Sequence, residues 1–534
     1  MYRIEDEYET RFSKQPLSIR ELVGLIDGAT GHLDGARGLT SAYRNYSAAW
    51  CDPENLVEFV TVTSIFYPEL RAYYAEEAGE WLAGARVAPC PPCGRPPPPD
   101  MIRANLAIRA PVSAAHQPES SGWRDGAGGA TFRRLDGGPG MPTPVIVSAT
   151  RTAIGTLGGG LAQTPATKLG GLVVREAMRR ARLEPAQVDE VVLGHVLPAG
   201  LGLNPGRVAA LDGGVPKEVP SFTVNKACGS GLKAVVLAAQ AIQLGDADVI
   251  VAGGMESMSG APYISKKARF GVRMGHEELL DSMIADGLTC PITFVHMGVT
   301  AENIAAKYGI TREEQDEFAA ESQQRTAAAQ QAGKFKAEIV PVEIPAKKGE
   351  TLRFDTDEHP RADTTAQRLA GLKPAFKRDG GTVTAGNASG INDGAAAVVV
   401  MSDRKAKELR LTPLATIRAY AAAGVDPSLM GMGPWPASEK ALERAKLRRE
   451  EIDLWELNEA FAAQSLGVLR ELRIPKNRVN VHGGAIALGH PIGASGARVL
   501  VTLLHAMADR DARLGVASLC IGGGQGIAMV VERS

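Results

Sequence analysis

The chain predicts an α/β fold, and three features carry that prediction. From residue 141 onward, apolar strand-like runs alternate with amphipathic helix-like runs. Two distant segments share one strand and helix pattern, and glycines cluster where the strand-like runs end.

In chain order, "TPVIVSAT" (143–150) is an apolar strand, "TKLGGLVVREAMRRARL" (167–183) an amphipathic helix and "DEVVLGHVL" (189–197) a second strand. "PSFTVN" (220–225) alternates apolar and polar residues, and after it Leu232, Val235, Val236, Ala239 and Ile242 recur at helical spacing. "SGLKAVVLAAQAIQLGDADVIVAGG" (230–254) and "SGARVLVTLLHAMADRDARLGVASLCIGGG" (495–524) both run Ser-Gly, helix, charged turn, apolar strand and paired glycines. The body is therefore two related halves, at 141–258 with 391–411 and at 412–534. The polar stretch 259–390, with its helical "REEQDEFAAESQQRTAAAQQAG", reads as an insertion that carries loops.

The first 140 residues have a different texture. Residues 17–32 and 54–84 suit short helices, whereas "APCPPCGRPPPPD" (88–100) and "ESSGWRDGAGGATFRRLDGGPG" (119–140) read as polyproline II and linker. Cys90 and Cys93 form a CxxC with no second ligand pair, so a structural metal is not expected there. Two readings fit this extension: a reading frame begun too far upstream, which we favour, or an added helical interaction module.

Composition bounds the function. Lys plus Arg is 59 and Asp plus Glu is 60, so no global charge draws the chain to nucleic acid or an anionic membrane. Six cysteines without a framework fit a reducing compartment, and the acidic start "MYRIEDEYET" lacks a leader's apolar core. A cytoplasmic protein is expected. GxxxxGK[ST] is absent, which argues against a nucleotide hydrolase.

The chemistry gathers at three turns. Cys228 in "KACGSGL" falls between a strand and a helix, where free N–H groups and the helix dipole favour a thiolate. Such a site lowers a cysteine pKa from about 8.5 toward roughly 3.5–7.5. A lone cysteine is more often packing than chemistry. The second half, however, sets His490 in the glycine-rich "NVHGGAIALGHPIGASG" (480–496) and Cys520 in "SLCIGGGQG" (518–526), at comparable turns. Glycines there let backbone approach a ligand and leave N–H groups free to point at it.

Together with "GGMESMSGAP", "HMGVTAEN", "TAGNASGINDGAA" and "NEAFAAQ", these stretches closely resemble the thiolases, acyl-CoA C-acyltransferases, in family order across residues 141–534. The resemblance implies duplicated α/β halves in an α-β-α-β-α layering, with an inserted loop domain that binds CoA. It implies a reversible Claisen condensation of two acetyl-CoA to acetoacetyl-CoA and CoA through an acyl-cysteine. By the same resemblance Cys228 is the nucleophile, His490 its activator and Cys520 the acid/base. Asn458 would hold a water beside His490 in one oxyanion hole, and the N–H groups of Cys228 and Gly522 would form the other. Read on its own, Asn458 is also a candidate helix N-cap.

For the pantetheine arm the resemblance points to Ser389, Ala385 and His296, in a tunnel lined by Leu288, Met297, Phe376 and Phe461. Arg361 would stand near the nucleotide. Arg368 replaces a serine of the best-known bacterial pattern. The resemblance implies no metal and no cofactor beyond CoA as substrate and product, and a homotetramer built through the inserted loops. Three other readings are weighed. A broader 3-ketoacyl-CoA thiolase would look almost the same. A ketoacyl-carrier-protein synthase would use one cysteine with two histidines, against Cys520. A silent acyl-CoA-binding member would have lost one of the three residues, and this chain retains them all.

Overall fold

The structure is a computed structural model and describes residues 141–345 and 349–533. The expected helices at 17–32 and 54–84, the linker stretches, Cys90 and Cys93 lie outside the described residues. The first half is β1 (Pro144–Thr152), α1 (Ala166–Arg180), β2 (Glu190–Gly194), α2 (Pro205–Asp212), β3 (Ser221–Val224), α3 (Ser230–Leu244) and β4 (Val249–Ser257). The insertion contributes α4 (Met297–Tyr308) and α5 (Arg312–Gln331), and β5 (Asn392–Ser402) returns to the first half. The second half is β6 (Ala415–Gly424), α6 (Pro434–Ala445), β7 (Leu454–Leu457), α7 (Ala462–Leu472), α8 (Ile492–Asp509), β8 (Leu514–Ile521) and β9 (Gln525–Glu532).

These strands follow one hydrogen-bonded path, β3-β2-β4-β5-β1-β6-β9-β8-β7. The link between halves is narrow, since β1 and β6 pair only at Val145 with Thr416 and Ile146 with Ala415. Each half thus supplies a twisted sheet with two faces to cover. Helices α1 and α2 cover the outer face of the first sheet with Leu169, Val173 and Ala209. Helices α4, α6 and α7 cover the outer face of the second with Ile304, Ala441 and Leu466. Helices α3 and α8 fill the space between, where Leu232, Val235, Leu500 and Leu503 pack on strands of both halves. The layering is α-β-α-β-α.

That central position explains why α3 is apolar around most of its surface. Its window Ala227–Leu244 reaches a mean hydropathy of 1.3, enough by length and composition to cross a membrane, yet 56% of it is buried inside this fold. A helix between two sheets meets the same compositional demand. Helix α5 begins with a capping box: Thr311 Oγ1 accepts from Glu314 N at 3.2 Å, and Glu314 Oε2 accepts from Thr311 N at 2.8 Å.

The insertion is pinned to the first sheet by a fully buried arginine. Arg151 of β1 donates to Glu338 at 2.6 Å and to both carboxylate oxygens of Asp357 at 2.7 and 2.9 Å. Bidentate pairing of this kind fixes geometry as well as energy. Asp357 opens the run Asp357-Glu358-His359-Pro360-Arg361, so the pin also places His359 and Arg361.

Candidate active site

Cys228 sits in a tightly wired turn between β3 and α3. Asn225 Oδ1 accepts from Ala227 N at 2.9 Å, Ser230 Oγ accepts from Lys226 N at 2.8 Å, and the same hydroxyl donates to Ala227 O at 2.7 Å. Ala227 is held at φ +43°, a conformation that a residue with a Cβ adopts at a cost of about 1–2 kcal/mol. The turn presses on the end of β8: a Cβ on Gly229 would lie 2.5 Å from Ile521 Cδ1. Through this contact the strand end that carries Cys520 reaches the nucleophile's turn.

Both thiols are pushed up, although the sequence suggested a lowered value for Cys228. For Cys228 burial is the largest cause; N–H groups of Gly522 and of Cys228 itself oppose it, and the Glu256 charge adds to the rise. For Cys520 burial again leads, followed by the proximity of Cys228. Neither of these N–H groups belongs to the first turn of α3, which starts at Ser230, and desolvation outweighs them. Both cysteines therefore rest as thiols.

His490 is buried, and its neutral form is strongly preferred: burial, helped by the Arg498 charge, pushes its pKa down to about 3. Its Nε2 is 3.4 Å from Asn458 Nδ2, its Nδ1 is 2.5 Å from Ser495 Oγ, and its N–H donates to Asn392 Oδ1 at 2.9 Å. Gly489, at φ +103°, has no room for a side chain, because a Cβ would fall 2.5 Å from Asn392 Cγ.

Asn458 is not a helix cap. Helix α7 starts at Ala462 with Phe461 as its N-cap. The preceding loop is held instead by Glu459, whose carboxylate accepts from Ser322 Oγ at 2.7 Å, Asn480 Nδ2 at 2.8 Å and Ile486 N at 3.2 Å. This ties the Asn458 loop to the segment leading to His490. Asn458 Oδ1 is buried without a protein partner.

A cavity of about 490 Å³ opens beside these groups, lined by Cys228, His490, Leu288, His296, Met297, Arg361, Phe376, Ala385, Ser389 and Phe461. Its aromatic wall is ordered: His296 stacks on Phe376 at 4.8 Å, and Phe376 meets Phe461 edge-on at 6.1 Å. Gly298 permits the stack, since a Cβ there would lie 2.3 Å from the Phe376 ring. His296 Nδ1 accepts from Gly298 N at 3.1 Å, which leaves Nε2–H as the free donor. Arg368, by contrast, pairs with Asp363 on an exposed surface.

Sequence reasoning missed His359, Met258, Ile391 and Met430 in the cavity wall, and the supports Ser495, Asn392 and Glu459. Glu459 and Ser495 stood inside quoted motifs, and their buried position was the signal that sequence could not supply. The cavity wall thus holds a buried thiol and a neutral imidazole, and the fully buried Cys520 thiol lies close to Cys228 but outside that wall. This arrangement suits transfer of an acyl group to sulfur followed by proton exchange at carbon.

Comparison with known proteins agrees with this geometry. The models "Thiolase, N-terminal domain" and "Thiolase, C-terminal domain" match residues 144–404 and 411–533. An acetyl-CoA acetyltransferase of Cupriavidus necator is 60% identical over 393 residues, covering 74% of this chain and 100% of the relative. One of Pseudomonas aeruginosa is 61% identical over 393 residues with the same coverage. The crystal structure of the Bacillus anthracis acetyl-CoA acetyltransferase aligns with a TM-score of 0.72 at 48% identity, over 74% of this chain and 99% of that one. With both family models matched in order and with these identities over the full length of its relatives, the chain belongs to the thiolase family.

Proposed function

We propose that this protein is an acetyl-CoA C-acetyltransferase that condenses two acetyl-CoA to acetoacetyl-CoA and CoA and runs the reverse thiolysis. The observation that carries the reading is that Cys228 and His490 line one cavity, with the Cys520 thiol close enough to Cys228 for their charges to interact and the Gly522 N–H directed at the Cys228 sulfur. Relatives at 60% and 61% identity bear that name.

The resting protonation states order the steps. Cys228 gives its proton to the ring of His490, and the thiolate attacks the thioester carbon. The oxyanion is met by the N–H groups of Cys228 and Gly522, and donors of this kind contribute about 3–4 kcal/mol each. Because Cys520 rests as a thiol, it acts first as an acid: its proton goes to the departing CoA sulfur. The Cys520 thiolate, destabilised by burial, then takes the α-proton of the second acetyl-CoA. The imidazolium of His490 and a water accepted by Asn458 Oδ1 stabilise the resulting enolate. Its carbon attacks acyl-Cys228, and the Cys228 thiolate leaves and recovers its proton from His490.

The acyl end of the cavity is apolar, with Cys228 packed among Val196, Met258, Met283 and Ile492. Short acyl groups fit this wall. We expect kcat/KM for thiolysis of acetoacetyl-CoA to exceed that for 3-ketohexanoyl-CoA by about tenfold or more, about 1.4 kcal/mol or more in transition-state binding. Equal values across chain lengths would favour the broader 3-ketoacyl-CoA thiolase.

Tetrameric assembly through the inserted loops is supported by exposed apolar residues in that stretch, among them Phe270 and Met274 at 85% and 95% exposure. A monomer mass in light scattering would contradict it. The cytoplasm supplies the reducing conditions that two working thiols need. The direct test of the mechanism is digestion of protein quenched after mixing with acetyl-CoA: an acetyl group on the Cys228 peptide is expected, and its absence would sink the reading.

A further inference from the structure

We propose that Ser495 is a positioning residue that fixes the tautomer of His490, keeping the proton on Nδ1 and leaving Nε2 as the nitrogen with the lone pair. The inference rests on the reading of His490 as the base for Cys228.

The hydrogen-bond bookkeeping around Ser495 leaves one arrangement. Its Oγ lies 2.8 Å from Pro491 O and 2.5 Å from His490 Nδ1. A hydroxyl has one hydrogen, and a carbonyl oxygen can only accept. The hydrogen of Ser495 therefore goes to Pro491 O, and the ring nitrogen must be the donor. With Nδ1–H committed to Ser495, the neutral ring carries its lone pair on Nε2. The Asn458 amide, with Nδ2 3.4 Å from Nε2, is compatible with this tautomer.

The surroundings hold this arrangement rigidly. Ser495 is fully buried in the first turn of α8, and Pro491 is the N-cap of the same helix. The backbone of His490 is tied to Asn392, whose own NH₂ donates to Gly155 O at 3.0 Å. The ring thus enters the reaction with Nε2 as its acceptor nitrogen. When Cys228 is deprotonated, the S–H bond breaks, its proton forms a bond to Nε2, and the imidazolium keeps Nδ1–H on Ser495. The neighbouring charge is Arg498, which opposes the imidazolium and makes the Ser495 acceptor more valuable.

The test combines a spectroscopic and a kinetic readout on the full chain. In nitrogen-15 histidine-labelled protein, with His490→Gln used to assign the resonance, His490 should show a protonated Nδ1 and an unprotonated Nε2. In Ser495→Ala the Nδ1 signature should weaken in favour of the other tautomer. The rate of Cys228 acetylation should fall about 10- to 100-fold, part of the usual range for a general base, with KM for acetyl-CoA within about threefold. Ser495→Thr, which keeps the hydroxyl, should recover most of the rate. A wild-type ring protonated on Nε2, or Ser495→Ala with unchanged tautomer and rate, would overturn the proposal. Failure of the underlying reading looks different: His490→Gln would then acetylate Cys228 at the wild-type rate.

Discussion

At the scale of single residues, the two cysteines are chemically distinct although both are buried. Only Cys228 has a backbone N–H from another segment, that of Gly522, among the groups that lower its pKa. This supports a division of labour in which Cys228 carries the acyl group and Cys520 moves protons. The Cys520→Ala variant should accept acetyl on Cys228, by mass spectrometry, while condensation falls by about 10²–10⁴, the range for losing an acid/base group. Retained condensation would assign the α-proton to another base. Cys228, His490 and Cys520, and of the cavity wall His296, Met297, Ala385, Ser389 and Phe461, lie in motifs quoted from the sequence, whereas His359 and Met430 lie in none. The electrostatics of the site were not legible there. A helix start is visible in a sequence, but desolvation depends on what the rest of the chain stacks above it, and burial reversed the expected direction for Cys228. The supports Ser495 and Glu459 were hidden for the same reason, since a polar residue reveals its partners only once it is enclosed.

At the scale of elements, the internal repeat acquires a physical meaning. The Ser-Gly pairs that open the two repeats, Ser230-Gly231 and Ser495-Gly496, face each other where α3 and α8 cross. A Cβ on Gly496 would lie 2.2 Å from Leu232 N, and one on Gly231 would lie 2.7 Å from Ala497 N. Neither glycine is needed for positive φ; both are needed for close approach. The repeat was legible as a pattern, while the contact between its two copies was not, because a pattern does not say that its copies pack together. This crossing also sets the active site, as α3 follows Cys228 and α8 follows His490. Gly496→Ala places a methyl group against backbone that cannot rotate away, and it should destabilise the protein by about 3 kcal/mol. It should also slow Cys228 acetylation relative to wild type at a temperature where both are folded. A variant with an unchanged melting temperature and acetylation rate would show that the helices can separate without consequence.

At the scale of the whole molecule, stability should peak in mildly acidic solution because two sets of buried groups act in opposite directions. His296, His359, His482, His490 and His505 all have folded pKa values below the ordinary 6.5, each with burial as the leading cause. Their contribution is complete above pH 6.5 and is lost as pH falls, in the case of His490 down to about 3. Glu456 has the opposite sign. Burial pushes its carboxyl from 4.5 up to about 8, against the pull of Arg498, whose Nη1 lies 3.0 Å away. Its contribution is complete below pH 4.5 and is lost as pH rises through about 8. Above pH 6.5 the unfolded histidines lose their last protons, a gain that fades by about pH 7.5, and Glu456 opposes it with a decline of about 1.4 kcal/mol per pH unit. Denaturant midpoints measured from pH 4 to 9 should therefore pass through a maximum near pH 6. In Glu456→Gln an amide replaces a carboxyl that is already neutral below about pH 8, so stability in mildly acidic solution should change little and the fall toward pH 8 should disappear. A Glu456→Gln variant that kept the wild-type slope would place the titrating group elsewhere, with Glu459, also raised by burial, the next carboxyl to replace.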